Sequence, residues 1–463
     1  MPVPLHLGVA ERPGGRRASG PDHGHFLKET VVRGIVLDEQ RRPAQGAVVV
    51  SDLGGMAQVG ADGFFELLVS HVRDGQSLRL SAVGAAGTLA QSHVRLDTQG
   101  VPLAPVALQL ASGGSCAPEW LPTFGTGYGD PNEAVFALLV HDDGTGPALY
   151  VGGAFTWIGN EQIQYAARFD GQSWTQLGHL VGWVLDLAIY DNGSGPALYA
   201  AGGFNEGLLR WNGDDWIAVQ VGSPAAHYEC LEVFDDGLGR GPMLYAAGVA
   251  NVIDFGQRAV AVRTDGNVVE SFGFDAIASY DYSRVLCMEV FDDGTGPALY
   301  IGGRFELNAP GLARNLVYLR NGTITGVDWA SAFPFTGTKI IYDMEWWQRE
   351  EFSVLAVVGD LLNFPDDPDA FFVLFDGTEW YAGGSGTGVV GYDVASFDAG
   401  DGKGNCLVVN GNFGYVNGEI VNGIARVTLW GWESMQASIP FLVSDSAAFD
   451  SGDGVEFYVG LPT

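Results

Sequence analysis

Short apolar runs alternate with turn residues along most of the chain. Between Thr30 and Leu110 they fall at residues 31–37, 47–50, 63–67, 78–82 and 106–110, separated by Gly, Pro and Asp. Runs of this length with a period of two predict strands, and their spacing predicts an antiparallel β-sandwich. No apolar run approaches the ~18–20 residues that span a bilayer, so membrane insertion is not expected.

After residue 115 one phrase recurs. Asp142-Asp143-Gly144-Thr145-Gly146-Pro147-Ala148-Leu149-Tyr150 returns at residues 191–199 and 292–300, more loosely from Asp235, Asp398 and Asp450, and in decayed form from Gln348. These anchors recur about every 50 residues, and each unit holds four strand-like runs, the signature of a β-propeller. In the first unit the runs are residues 135–140, 148–153, 165–169 and 174–177, here strands a to d. Asp170-Gly171, Asn212-Gly213 and Asp376-Gly377 read as two-residue type I′ links between c and d. Trp174, Trp216 and Trp380 open strand d. Seven anchors predict seven blades with an incomplete last one, which stops after strand b at residues 457–460. Residues 120–124 look like an orphan strand d that completes it, with strand c missing.

Strand-b Gly-Gly followed by an aromatic residue and then Trp resembles kelch and galactose-oxidase-like propellers. The phrase DDGxGPALYxGGxF with RFDGxxW resembles large secreted bacterial repeat proteins. Upstream, Gly34-x-Val36, Pro43-x-x-Gly46-Ala47-x-Val49 and Asp62-Gly63-x-Phe65 resemble the carboxypeptidase regulatory-like (transthyretin-like) sandwich. That resemblance implies a spacer or adhesion module without catalysis, and Asp62-Gly63 itself reads as a hairpin turn. The expected fold class is therefore all-β: a flexible leader (1–29), a sandwich (30–111), a linker (112–118) and a kelch-like propeller (119–463). The leader lacks the 7–15-residue apolar core of a signal peptide. The resemblances nonetheless imply an extracellular or cell-surface protein.

Composition sharpens this picture. The chain has 463 residues, 68 of them Gly, and a net charge of −32. Residues 1–115 carry equal numbers of acidic and basic side chains, so the whole excess lies in the repeat region. Lysine occurs only at Lys28, Lys339 and Lys403, so the clustered cations that bind phosphate backbones are missing and nucleic acid is not an expected partner.

Binding chemistry is expected on the loops joining b to c and d to a, which share one propeller face and vary in length. Trp157, Trp183, Tyr280 and Tyr282 are the candidate ligand platforms there, with packing between blades as the alternative. The acidic DDGxG loops read as self-capped turns rather than calcium sites. Innermost strands offer a sharper pattern. Counting back from each anchor, position −5 or −3 supplies Asp186, Glu232, Glu289, Asp343, Glu345, Asp393 and Asp445. These carboxylates either hold a cation such as Ca2+ in the central channel or accept hydrogen bonds from neighbouring backbone N–H groups.

Cys230 and Cys287 occupy one position in adjacent blades, where two small buried residues or a bridge are the alternatives. His141, His179 and His227 are too few and too scattered for a copper oxidase site. No nucleophile triad, phosphate loop or HExxH motif occurs. The expectation is a monomeric, non-catalytic binding propeller for a carbohydrate or protein ligand. A carbohydrate-active enzyme using paired carboxylates is the competing reading.

Overall fold

The computed structural model describes residues 5–7, 29–38, 42–51, 56–70, 77–83, 89–95, 106–109, 120–121 and, from 131 to 461, all but short loop segments. Among these there is no helix, and hence none long and apolar enough to cross a membrane. The chain divides into two compact units, Pro13–Ala117 and Met1–Arg12 with Pro118–Thr463.

In the smaller unit, Phe64–Ser70, Glu29–Leu37 and Val106–Gln109 form one sheet. Met56–Gln58, Val48–Ser51, Ser77–Val83 and Leu89–Arg95 form another. Alternation decides which side chains are buried: Val32 and Val36 turn inward while Val31 and Arg33 face solvent. They share one core with Leu67 and Val69 of the same sheet and Val49, Leu80 and Ala82 of the other. Asp62 and Gly63 make the expected turn, with Gly63 at φ 83° and Asp62 Oδ1 accepting the Phe64 N–H at 3.2 Å.

The larger unit is a propeller of six consecutive four-stranded antiparallel blades. Their innermost strands, a, are Val135–Asp142, Val184–Asp191, Ala226–Phe234, Arg284–Asp292, Ile340–Gln348 and Val390–Phe397. A further four-stranded sheet orders Asp445–Asp450, Val455–Gly460, Leu5–Leu7 and Trp120–Leu121. Leu5–Leu7 pairs in parallel with both neighbours, Leu5 opposite Phe457 and Trp120. Residues 5–7, expected within a leader, thus stand where strand c was missing.

Every blade repeats one irregularity. Register shifts by one residue before position −5: between Val135 and Ala137, Val184 and Asp186, Tyr228 and Cys230, Val285 and Cys287, Ile341 and Asp343, and Gly391 and Asp393. This bulge swings the carbonyl at position −8 onto the end of strand b. A Cβ on Gly153, Gly202, Gly248, Gly303, Gly359 or Gly411 would lie 2.0–2.5 Å from that oxygen, so only glycine fits. Position −4 forms an apolar layer, with Leu187, Leu231, Met288, Met344 and Val394 all buried.

Trp174, Trp216 and Trp380 pack on the last residue of strand c: Phe169, Trp211 and Phe375, with ring centroids 4.8, 5.5 and 4.5 Å apart. The c–d links differ from expectation. The Asp170 N–H reaches Ser173 O, so Gly171 and Gln172 are the central residues, and only Gly171 has positive φ (90°). That suits a turn with Gly first rather than type I′. Asp170 sits before the turn and caps it, Oδ1 accepting the Gln172 and Ser173 N–H groups.

Candidate functional site

The bulge places the −5 side chain on the innermost strand facing the next blade, where its carboxylate finds backbone donors. Asp186 Oδ2 accepts the Leu231 N–H of blade 3 at 2.6 Å, and its Oδ1 accepts its own Leu187 N–H at 2.7 Å. Asp343 accepts the Val394 N–H of blade 6 at 3.0 Å. Asp445, on the last sheet, accepts the Leu138 N–H of blade 1 at 2.6 Å. The −3 glutamates repeat the device two residues on: Glu289 takes the Trp346 N–H and Glu345 the Ser396 N–H, at 3.3 and 3.1 Å. Glu232 instead accepts its own Val233 N–H. Asp393 is the exception in kind, binding the side chains of Ser446 and Asn410.

Enclosure by protein dominates the electrostatics of this set. Burial pushes Asp186 up to about 7 against the opposing Leu231 and Leu187 N–H groups. It pushes Glu232 and Asp393 up to about 7 as well. Burial, then the neighbouring carboxylates, hold Glu289, Asp343 and Asp445 well above the ordinary carboxylate range. Glu345 is raised by burial and relieved by Ser396. The seven groups therefore feel one another across the axis, as like charges in a low-dielectric site must. Among the described residues, no three His, Cys, Asp or Glu side chains form a group that could hold a metal ion.

The DDGxG loops cap themselves. Asp142 Oδ1 accepts the Gly144 and Gly146 N–H groups at 2.8 and 3.0 Å, with both glycines at positive φ. Asp143 takes the Thr145 N–H and hydroxyl, and its other oxygen takes the Tyr150 hydroxyl at 3.0 Å and lies 3.4 Å from Arg168. Arg320 repeats this ion pair with Asp293 at 2.9 Å, and Arg263 with Asp236 at 2.7 Å. Sequence reasoning missed this arginine, although Arg168, Arg210, Arg263 and Arg426 stand at the same place in strand c; in blade 4 Tyr318 holds that place and Arg320 reaches its aspartate from two residues further on.

On the b–c and d–a face, Trp157 is 44% and Trp183 57% exposed. Four hydrogen bonds from Asn132 fix the Trp157 loop. Its Oδ1 accepts the Thr156 and Trp157 N–H groups, its Nδ2 reaches Thr156 Oγ1, and its N–H reaches the Trp157 carbonyl. The Trp183 carbonyl accepts the Gly203 N–H, and Val181 beside it is 89% exposed. Tyr280 and Tyr282 lie outside the described residues. Cys230 and Cys287 are buried, free thiols, so no bridge joins them.

Fold and inner strands together define a β-propeller protein. No family model matches the chain, and no curated protein matches it. Four chains of known structure match. One is the extracellular domain assigned to a hybrid two-component system of B. thetaiotaomicron, 10% identical with a TM-score of 0.31. The match covers 89% of this chain and 47% of that one, so this chain spans about half its length. A likeness that distant carries no argument about function.

Proposed function

We propose that the larger unit is a non-catalytic, extracellular or cell-surface binding propeller that takes a carbohydrate or protein ligand on its b–c and d–a loop face. The observation that carries this reading is Trp157, a large aromatic surface held out in solvent by a fully engaged Asn132. Prepaid ordering of this kind lowers the entropic cost of binding, and an indole face suits the apolar face of a sugar ring or an apolar side chain. Trp183 is the second platform. We read the sheet containing Asp445–Asp450 as the seventh blade, because the Leu138 N–H of blade 1 binds Asp445 by the same rule that joins blades 2 and 3. We read the repeats as kelch-like, and the smaller unit as a carboxypeptidase regulatory-like sandwich serving as a spacer.

For the inner carboxylates, the reading favoured is stitching between blades, since both oxygens of Asp186 and of Asp445 already accept backbone N–H groups. A calcium titration tests it: a melting midpoint unmoved at millimolar calcium agrees, and a clear rise restores the cation. For the ligand, a glycan array with wild type and Trp157→Ala is the direct test, paired with a polysaccharide hydrolysis screen. Binding lost in the variant supports the proposal. Turnover of any polysaccharide overturns it in favour of a carbohydrate-active enzyme.

A further inference from the structure

Ser446 ties two axial carboxylates to one residue. Its N–H donates to Asp445 Oδ1 at 2.7 Å, and its hydroxyl donates to Asp393 Oδ2 at 2.7 Å. Asp445 reaches onward to the Leu138 N–H of blade 1, while Asp393 belongs to blade 6. Both flanks of the last sheet are therefore fastened through this pair at the axis.

Asn410 adds a second observation. Its counterparts opposite position −5 in the other blades are Gly152, Ala201, Ala247, Gly302 and Val358, so a buried amide is peculiar to blade 6. It is fully buried, its Nδ2 donates to Asp393 Oδ2 at 2.5 Å, and its Oδ1 has no hydrogen-bond partner. A carboxylic acid and a primary amide pair through two hydrogen bonds, N–H to acid oxygen and acid O–H to amide oxygen. Asp393 and Asn410 make the first of these. A proton on Asp393 supplies the hydrogen that the second lacks, and without it a buried acceptor stays unsatisfied.

The surroundings add no positive charge. Glu345 and Asp343 of blade 5 and Asp445 face or couple to Asp393, and Asp186 of blade 2 couples to Asp445. Blade 1 contributes only Ala137 and Leu139 at the matching positions. On the paired strand of the last sheet, Glu456 is engaged by the Tyr458 hydroxyl. Among the described residues, no Lys, Arg or His forms an ion pair with Asp393 or Asp445.

We propose that Asp393, Ser446 and Asp445 form a proton-operated latch. With a proton held on Asp393, the last sheet is fastened between blades 6 and 1. Loss of the pair's last proton to solvent as pH rises leaves two ionised carboxylates on one serine and loosens the sheet at its axial edge. Two carboxylates this close favour the singly protonated pair over the fully ionised one. Burial, opposed by Ser446 and Asn410, raises Asp393 to about 7, which sets the operating range near neutrality.

Hydrogen exchange read by mass spectrometry tests the latch, at pH 5.5 and 8.5 in the presence of a chelator, with intrinsic rates corrected. Protection of residues 445–460 is expected to fall about tenfold on going to pH 8.5, relative to residues 314–320 of blade 4, a strand without an inner carboxylate. Asp393→Asn removes the titrating group and abolishes that fall, whereas Glu289→Gln keeps it. An equal response in both sheets of the wild type overturns the latch, as does a fall retained in Asp393→Asn. Should that variant not fold, the wild-type comparison decides alone. None of these outcomes depends on what the loop face binds.

Discussion

Replacing Asp186 by Asn asks whether burial or hydrogen bonding governs the axial ring. The carboxyl is raised from 3.8 to about 7, so its folded state holds a proton more tightly than the unfolded chain does. For such a group the stability contribution is fully present below the unfolded value and is lost as pH rises through the folded one. Three pH units at 1.36 kcal/mol each amount to about 4 kcal/mol lost between pH 4 and pH 8. Asn cannot ionise, so Asp186→Asn escapes this loss. It does give up one acceptor, leaving the Leu187 or the Leu231 N–H unpaired at a cost of about 1–3 kcal/mol. The two proteins should therefore change order: the variant less stable at pH 4.5, and equal or more stable at pH 8. All 12 tryptophans follow residue 115, so their fluorescence during urea unfolding reports on the propeller region and not on the smaller unit's sheets. Parallel pH profiles for wild type and variant would refute the reasoning and show that the N–H donors, not enclosure, set the state of the ring.

Three further outcomes follow from local geometry. Gly202→Ala puts a Cβ 2.0 Å from the Trp183 carbonyl and should cost about 2–3 kcal/mol, while Gly203→Ala, whose nearest neighbour is 3.9 Å away, should be nearly neutral in the same melts. Asp143→Ala removes the Thr145, Tyr150 and Arg168 contacts and should destabilise by about 1–2 kcal/mol. The Thr145 hydroxyl leads the interactions that hold Asp143 below the usual range, so this contribution should vanish as pH falls through the carboxylate range, opposite to Asp186. Deleting residues 1–12 removes the strand Leu5–Leu7 and strips Trp120–Leu121 of its partner, so the propeller's fluorescence melt should shift down by several degrees; an unchanged midpoint would show that this strand adds nothing.

What could be read from sequence was whatever repeats. The anchors at Asp142, Asp191 and Asp292 fix the register of strands a and b, and counting back from these and the looser anchors at Asp235, Gln348, Asp398 and Asp450 finds all seven inner-strand carboxylates. The same count does not find the bulge at position −6, because Phe136, Leu185, Glu229 and Leu286 share no side-chain property; its only trace is the glycine it forces on strand b. The c–d turns were misplaced by one residue, since Asp-Gly signals a turn without saying whether Asp lies in it or caps it. Leu5–Leu7 was illegible for a simpler reason: three residues have no period. Asn410 escaped because it occurs once, in a position that is small or apolar elsewhere.

The stitches along the axis all run one way. Asp186 to Leu231, Glu289 to Trp346, Asp343 to Val394 and Asp445 to Leu138 each offer an acceptor to the blade ahead, never to the one behind. Each such repeat thus carries its own forward connector and presents the matching N–H to its predecessor. A unit of that kind is an interchangeable part: it can be duplicated or removed as a block with every remaining joint made by the same chemistry. Ring size is then limited by curvature and packing rather than by the wording of any single junction, and blades 1 and 3, with Ala137 in place of the acid and with Glu232 turned onto its own Val233 N–H, are where such a series shows no forward connector among the described residues.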